Sequence, residues 1–173
     1  MDVGADKLQS GVILCVGSVD EFCSAVYSLQ YEMQPGHAVR MLRGRNMLSA
    51  RALFSECAAA LQFPCYFGYN WNAFDECIAD LEWLPAAGYL IMIVDGKHVL
   101  ENEQGEVPTF FRIMRSVARE WSDGSGLPFQ TVLQCGDEEV EIFRRLSESP
   151  LDVVRVSDLK ALVHASQYTP REG

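Results

Sequence analysis

The sequence predicts an α/β fold, a small and mainly parallel β-sheet packed with α-helices. Two apolar runs, Gly11–Val16 and Gly88–Val94, have the length and continuity of strands buried on both faces, and Phe129–Cys135 (FQTVLQC) reads as a further strand. Stretches whose apolar residues recur every three or four positions separate them, the mark of helices that cover a sheet.

Taken in order, Gly11–Val16 is a strand closed by Gly17-Ser18. Ser18 with Glu21 forms a helix-capping pair, so a helix opens at Val19 and runs to about Gln30, with Phe22, Cys23, Val26 and Leu29 on its inner face. Pro35-Gly36 marks a turn, and His37–Leu42 is a second strand, broken by Arg43-Gly44-Arg45-Asn46. Ser49 caps a helix to about Gln62 that buries Leu53, Phe54, Cys57, Ala58 and Leu61. After the aromatic loop Cys65–Tyr69, Asn70 caps a second consecutive helix through Leu81, with Trp71, Phe74, Cys77, Ile78 and Leu81 inward. Gly88–Val94 follows as a strand. A loop with Glu101, Glu103, Gly105 and Glu106 then leads to a helix from about Pro108 to Trp121. Asp123–Gly126 is a linker-like loop, Phe129–Cys135 a strand and Asp137–Leu146 a helix. The tail holds an extended piece at Val153–Val156, a helix capped by Ser157, and a frayed end from Tyr168.

With 173 residues, 49% apolar, the chain suits one domain with a full core. No run approaches the ~18 apolar residues of a membrane helix, and the acidic N-terminus lacks the basic start of a secretory signal, so the expected location is the cytoplasm. The six cysteines form no C-x-x-C pair and no cluster with histidine; they are expected to be small core hydrophobes, with no metal and no cofactor. A net charge of −10 repels nucleic acid and anionic lipid and attracts basic proteins.

The acid is concentrated. Between Arg51 and Lys97 there is no Lys or Arg, while Glu56, Asp75, Glu76, Asp80, Glu82 and Asp95 lie in that window. On the helix opened by Asn70, residues three or four apart share a face, which sets Tyr69, Asn72, Glu76 and Asp80 opposite Trp71, Phe74, Ile78 and Leu81. Tyr66 and Phe67 lie in the loop that introduces this stripe. Carboxylates accept paired hydrogen bonds from arginine and tyrosines supply rigid contact area, so a basic cleft would accept such a surface. Taken as a pattern alone, it is also what any amphipathic helix needs as its solvated side.

Enzymatic motifs are lacking. His37, His98 and His164 fall in different segments, and no Gly-x-Ser-x-Gly, Walker or His-Glu-x-x-His pattern occurs. Cys77 belongs to the apolar stripe, and the neighbours Asp75 and Glu76 point about 100° apart on a helix. Of the three tryptophans, Trp71, Trp83 and Trp121, only Trp83 is expected to be partly exposed.

The segment Leu61–Leu81, LQFPCYFGYNWNAFDECIADL, resembles the signature of the barstar family: an aromatic–glycine turn, an Asn just past it, then a helix with an acid before Cys. The surroundings agree, with a strand ending in Arg-Gly before it and an apolar strand, helix and strand after it. The resemblance covers roughly Ala38 to Cys135. It implies a barstar-like sheet of three core strands, extended by an N- or C-terminal edge strand, and inhibition of a small ribonuclease whose active site the loop and helix enter. The carboxylates then occupy the place of RNA phosphates, without direct contact to nucleic acid or membrane. Carried over by position, Glu76 is the phosphate-mimicking carboxylate and Tyr66 meets the enzyme's catalytic face. Phe67, Gly68, Tyr69, Asp75 and Asp80 complete the contact set. Asn72 stands where the family usually has Asp, and Glu76 is one methylene longer than the usual Asp; both changes imply a different partner cleft.

Organised this way, residues 1–36 are a β-α extension, 37–136 the core, and 137–173 a C-terminal extension of the same domain, with a monomer expected. The first extension could add an edge strand and the tail cover the opposite edge. Three functions fit: an inhibitor, such as an immunity protein against a ribonuclease toxin; a non-inhibitory module for another basic protein; or a small hydrolase with an unrecognised site.

Overall fold

A computed structural model describes residues 11–33, 36–124 and 128–166. Five strands, β1 (Val12–Val16), β2 (His37–Arg43), β3 (Gly88–Val94), β4 (Phe129–Cys135) and β5 (Asp152–Arg155), form one sheet of order β2-β3-β4-β1-β5 with every pairing parallel. Six helices, α1 (Val19–Glu32), α2 (Ala50–Leu61), α3 (Trp71–Asp80), α4 (Val107–Gly124), α5 (Asp137–Leu146) and α6 (Val156–Ser166), cover it.

The α/β class and the parallel sheet hold, and both extensions contribute strands. Their placement differs from expectation. The N-terminal strand β1 is interior, paired with β4 on one side and β5 on the other, and the tail strand lies beyond it at that same end. Burial explains the order. All five residues of β1 are buried, as a strand covered on both faces and flanked on both edges requires, whereas β5 alternates half-buried and exposed as an edge does.

Alternation along the strands divides the core. Phe22, Val26 and Leu29 of α1, with Leu159, Leu162 and Val163 of α6, pack on Ile13, Cys15, Leu90, Met92 and Val132. The opposite face of the sheet, Val12, Leu14, Leu42, Ile91, Ile93 and Leu133, is covered by Phe54 of α2, Phe74 of α3, Phe110 and Phe111 of α4 and Phe143 of α5.

The caps read from sequence are made. Ser18 Oγ accepts from Glu21 N–H, and the Glu21 carboxylate accepts from the Ser18 hydroxyl and then from Ser18 N–H, which together hold that carboxyl below its usual range. Ser49 and Asn70 cap α2 and α3 through Ala52 and Ala73 N–H. Other expectations need correction. Ser157 lies inside the first turn of α6, because Val156 is already helical. The helix α4 continues through Asp123-Gly124, so half of the anticipated linker is helical; Gly126, Pro35 and the tail from Tyr168 lie outside the described residues. All three tryptophans are half-buried, not Trp83 alone. Cys15, Cys57, Cys77 and Cys135 are buried as expected, but Cys65 is exposed and Cys23 half-buried.

At the end of β2 the chain passes very close to the end of β3. A Cβ on Gly44 would sit 2.1 Å from the Asp95 carbonyl oxygen, a backbone atom that cannot rotate away. Gly44→Ala is therefore expected to cost about 1–3 kcal/mol, read as a lower denaturant midpoint. An unchanged midpoint would contradict the tight passage.

Candidate functional site

The loop between α2 and α3 is built on a cluster of rings. Phe54 of α2 packs edge-on against Trp71 (centroids 4.9 Å apart) and Phe67 (6.1 Å), and Phe63 packs against Phe67 at 5.0 Å and Trp83 at 6.0 Å. The polar edges of the indoles are satisfied: Trp71 Nε1 donates to Glu106 at 2.7 Å and Trp83 Nε1 to the Leu61 carbonyl at 3.0 Å. The backbone turns tightly here. Gln62 closes α2 in the left-handed region (φ 56°), Phe67 N–H donates to Pro64 O at 3.0 Å, and Tyr69 at φ 49° redirects the chain into α3. Gly68 leaves room for the Asn70 side chain, whose Nδ2 donates to the Gly68 carbonyl; a Cβ there would lie 3.0 Å from that nitrogen.

On this base the anticipated residues separate into two groups. Tyr66 is 78% exposed and Tyr69 43%, and Gly68, Asn72, Glu76 and Asp80 are exposed with them. The positions Asn72, Glu76 and Asp80 follow one another at single-turn intervals, a ridge about 12 Å long. Phe67 departs from expectation. It is 6% exposed, tilted against Tyr69 at 4.8 Å and edge-on to Phe54 and Phe63, so it anchors the loop and offers little surface of its own. Asp75 is half-buried on the flank toward α4.

The acids of the cation-free window also divide. Glu56 accepts from Arg43 N–H and Asn46 Nδ2, and Asp95 pairs with Arg45 at 2.9 Å, so both are committed to the fold. Among the described residues, Glu76, Asp80 and Glu82 have no cationic partner. One basic contributor was missed by the sequence reading: the Arg51 guanidinium lies over the Tyr69 ring, 5.3 Å from its centroid. No local pattern announces it, because the contact joins the start of α2 to a loop 18 residues later.

Burial, then the charges of Glu120 and Glu76, raise the Asp75 carboxyl above its usual range, with Arg112 opposing. The folded chain thus holds this proton more tightly than the unfolded chain, and stability falls as pH rises from about 4 through the raised value. Asp75→Asn is expected to raise the melting temperature at pH 7, with the gain vanishing below about pH 3. A melting curve showing the variant less stable at pH 7 would oppose this. Burial, then Glu76 and Asp80, also push the Cys77 thiol up, the reverse of what activates a nucleophilic cysteine. Cys15 and Cys135 are pushed up to about 12, chiefly by burial. Among the histidines, His98 contacts Glu101 and His164 contacts Glu32, far from the ridge in the sequence.

Fold and face together define a small α/β protein whose most distinctive surface is a rigid ridge of unpaired carboxylates and exposed tyrosines. Residues 37–134, more than half of the chain, match the family described as Barstar (barnase inhibitor), and the chain belongs to that family. No curated protein matches it. Among the described residues no helix is long and apolar enough to cross a membrane.

Proposed function

We propose that this protein inhibits a small basic ribonuclease by inserting the loop at Tyr66–Tyr69 and the outer face of α3 into the enzyme's active site. The observation that carries this reading is the set of unpaired carboxylates, Glu76 and Asp80, beside exposed Tyr66 on a base that the ring cluster holds rigid. A ribonuclease active site offers Arg, Lys and His side chains arranged for phosphates. Carboxylates carried on a packed helix and loop answer that arrangement without the cost of ordering the backbone on binding. Glu76 is the central carboxylate in this account and Asp80 extends the negative edge. Asn72 contributes an amide in place of a charge, and Asp75 acts from the flank toward α4. Membership of a family described as barnase inhibitors supports the class of target, and the net charge of −10 supports steering of a basic partner. An immunity role, protecting the producing cell from a ribonuclease toxin in its cytoplasm, is the biological setting that suits such an inhibitor.

The test is capture of partners from the source lysate, followed by assay of the eluted protein for RNA hydrolysis. A basic protein that degrades RNA once separated from the bait supports the proposal. A retained basic protein without that activity would make the fold a non-inhibitory interaction module.

A further inference from the structure

A second charged feature lies on α4. Arg112, Arg115 and Arg119 line a cleft of about 400 Å³ together with Ser116, facing Ser147 and Ser149 in the connection from α5 to β5. The rise from Arg112 to Arg119 is about 10 Å. In a chain with 24 acidic residues against 14 Lys and Arg, chance pairing would be expected to neutralise such a row. Among the described residues, none of the three arginines has a carboxylate within 4.0 Å. The one carboxylate on the cleft wall is Glu148, and Glu120 accepts from Ser116 Oγ at its rim. On its other side Arg112 interacts with Asp75 of α3.

Arg115 distinguishes the cleft from a solvated charged face. It is half-buried over the Phe111 ring at 5.8 Å, and its guanidinium donates to the Ser147 carbonyl at 3.3 Å and the Ser149 carbonyl at 3.5 Å. Its Nε is buried without a hydrogen-bond partner. A partly desolvated cation satisfied only by neutral carbonyls raises the local potential, and two exposed guanidiniums flank it. Planar guanidinium forks match the oxygens of phosphate. The charge is spread along a helix, so a single carboxylate would meet only part of it, whereas a ligand with several anionic oxygens meets all three.

We infer that this cleft binds a small phosphate-bearing polyanion of the pyrophosphate class, held by Arg112 and Arg119 with Arg115 supplying the fixed central charge. The site is separate from the Glu76 ridge and independent of the inhibitor reading. Inorganic pyrophosphate is the probe, titrated into the full chain at constant ionic strength and followed by calorimetry and by the melting temperature. Saturable binding is expected for the wild type, weakened about tenfold or more in the exposed double substitution Arg112→Gln/Arg119→Gln, with the ligand-free melting temperature of the variant recorded to exclude misfolding. The control Arg144→Gln/Arg145→Gln removes the same charge elsewhere and is expected to bind as the wild type does. No saturable binding, equal weakening in both double variants, or sulfate binding as tightly as pyrophosphate would overturn the assignment.

Discussion

Glu76→Lys is expected to abolish measurable binding to the basic partner while leaving the fold intact. Glu76 is exposed in the free chain and makes no ion pair among the described residues, so its replacement should change stability by no more than about 0.5 kcal/mol. In the proposed complex the same carboxylate would be desolvated against the cations of the enzyme's cleft. Truncating one member of a desolvated charge pair costs about 2–5 kcal/mol, a range that the barnase–barstar pair helps to define, and reversing the charge sets like charges together as well. At about 1.4 kcal/mol per factor of ten, truncation alone corresponds to roughly 30-fold to several thousand-fold, and the reversal adds to that loss. Calorimetry with the captured partner reads the loss, and a matching melting temperature shows that the fold has not changed. Unchanged affinity would remove Glu76 from the interface. On the proposed binding mode the acidic ridge would steer encounter, so association of the wild type should also slow between low and physiological salt.

Phe54→Ala should be the most disruptive single change near the ridge. Phe54 is 3% exposed and meets Phe67, Trp71 and Phe74, so it joins α2, the loop and α3. Removing a buried Phe costs about 3–5 kcal/mol, and at about 2–4 °C per kcal/mol for a chain of this size the melting temperature should drop by roughly 6–20 °C. Phe22→Ala is the matched comparison. Phe22 is fully buried on the other side of the sheet, against α6, so the stability loss should be similar. Partner affinity, measured well below both melting temperatures, should fall for Phe54→Ala and hold for Phe22→Ala. Equal affinity losses would mean that the ring cluster supports the fold without specifically ordering the loop.

Much of this architecture was legible because its signals are local. The bounds of β3 follow from an uninterrupted apolar run, and Ser18, Ser49 and Asn70 announce helix starts through side chains that bond backbone three residues on. The ridge was legible for the same reason, since helical spacing alone sets Asn72, Glu76 and Asp80 on one side. What failed was non-local. Strand order depends on which edges meet, although the unbroken apolar run Val12–Val16 already carried the mark of an interior strand. Phe67 was misassigned because a loop has no period from which to read an inward direction, and its burial comes from Phe54 and Phe63 of neighbouring segments. Asp75 lies between the two faces of α3, so only the packing of α4 decides its surroundings.

The claim at the centre of this account is that the Tyr66–Asp80 face fills a ribonuclease active site. Steady-state RNA hydrolysis by the captured enzyme, measured at several inhibitor and substrate concentrations, tests it most directly. Full inhibition is expected at one inhibitor per enzyme, competitive with RNA and lost with Glu76→Lys. Binding that leaves hydrolysis unchanged, or inhibition indifferent to RNA concentration, would contradict it.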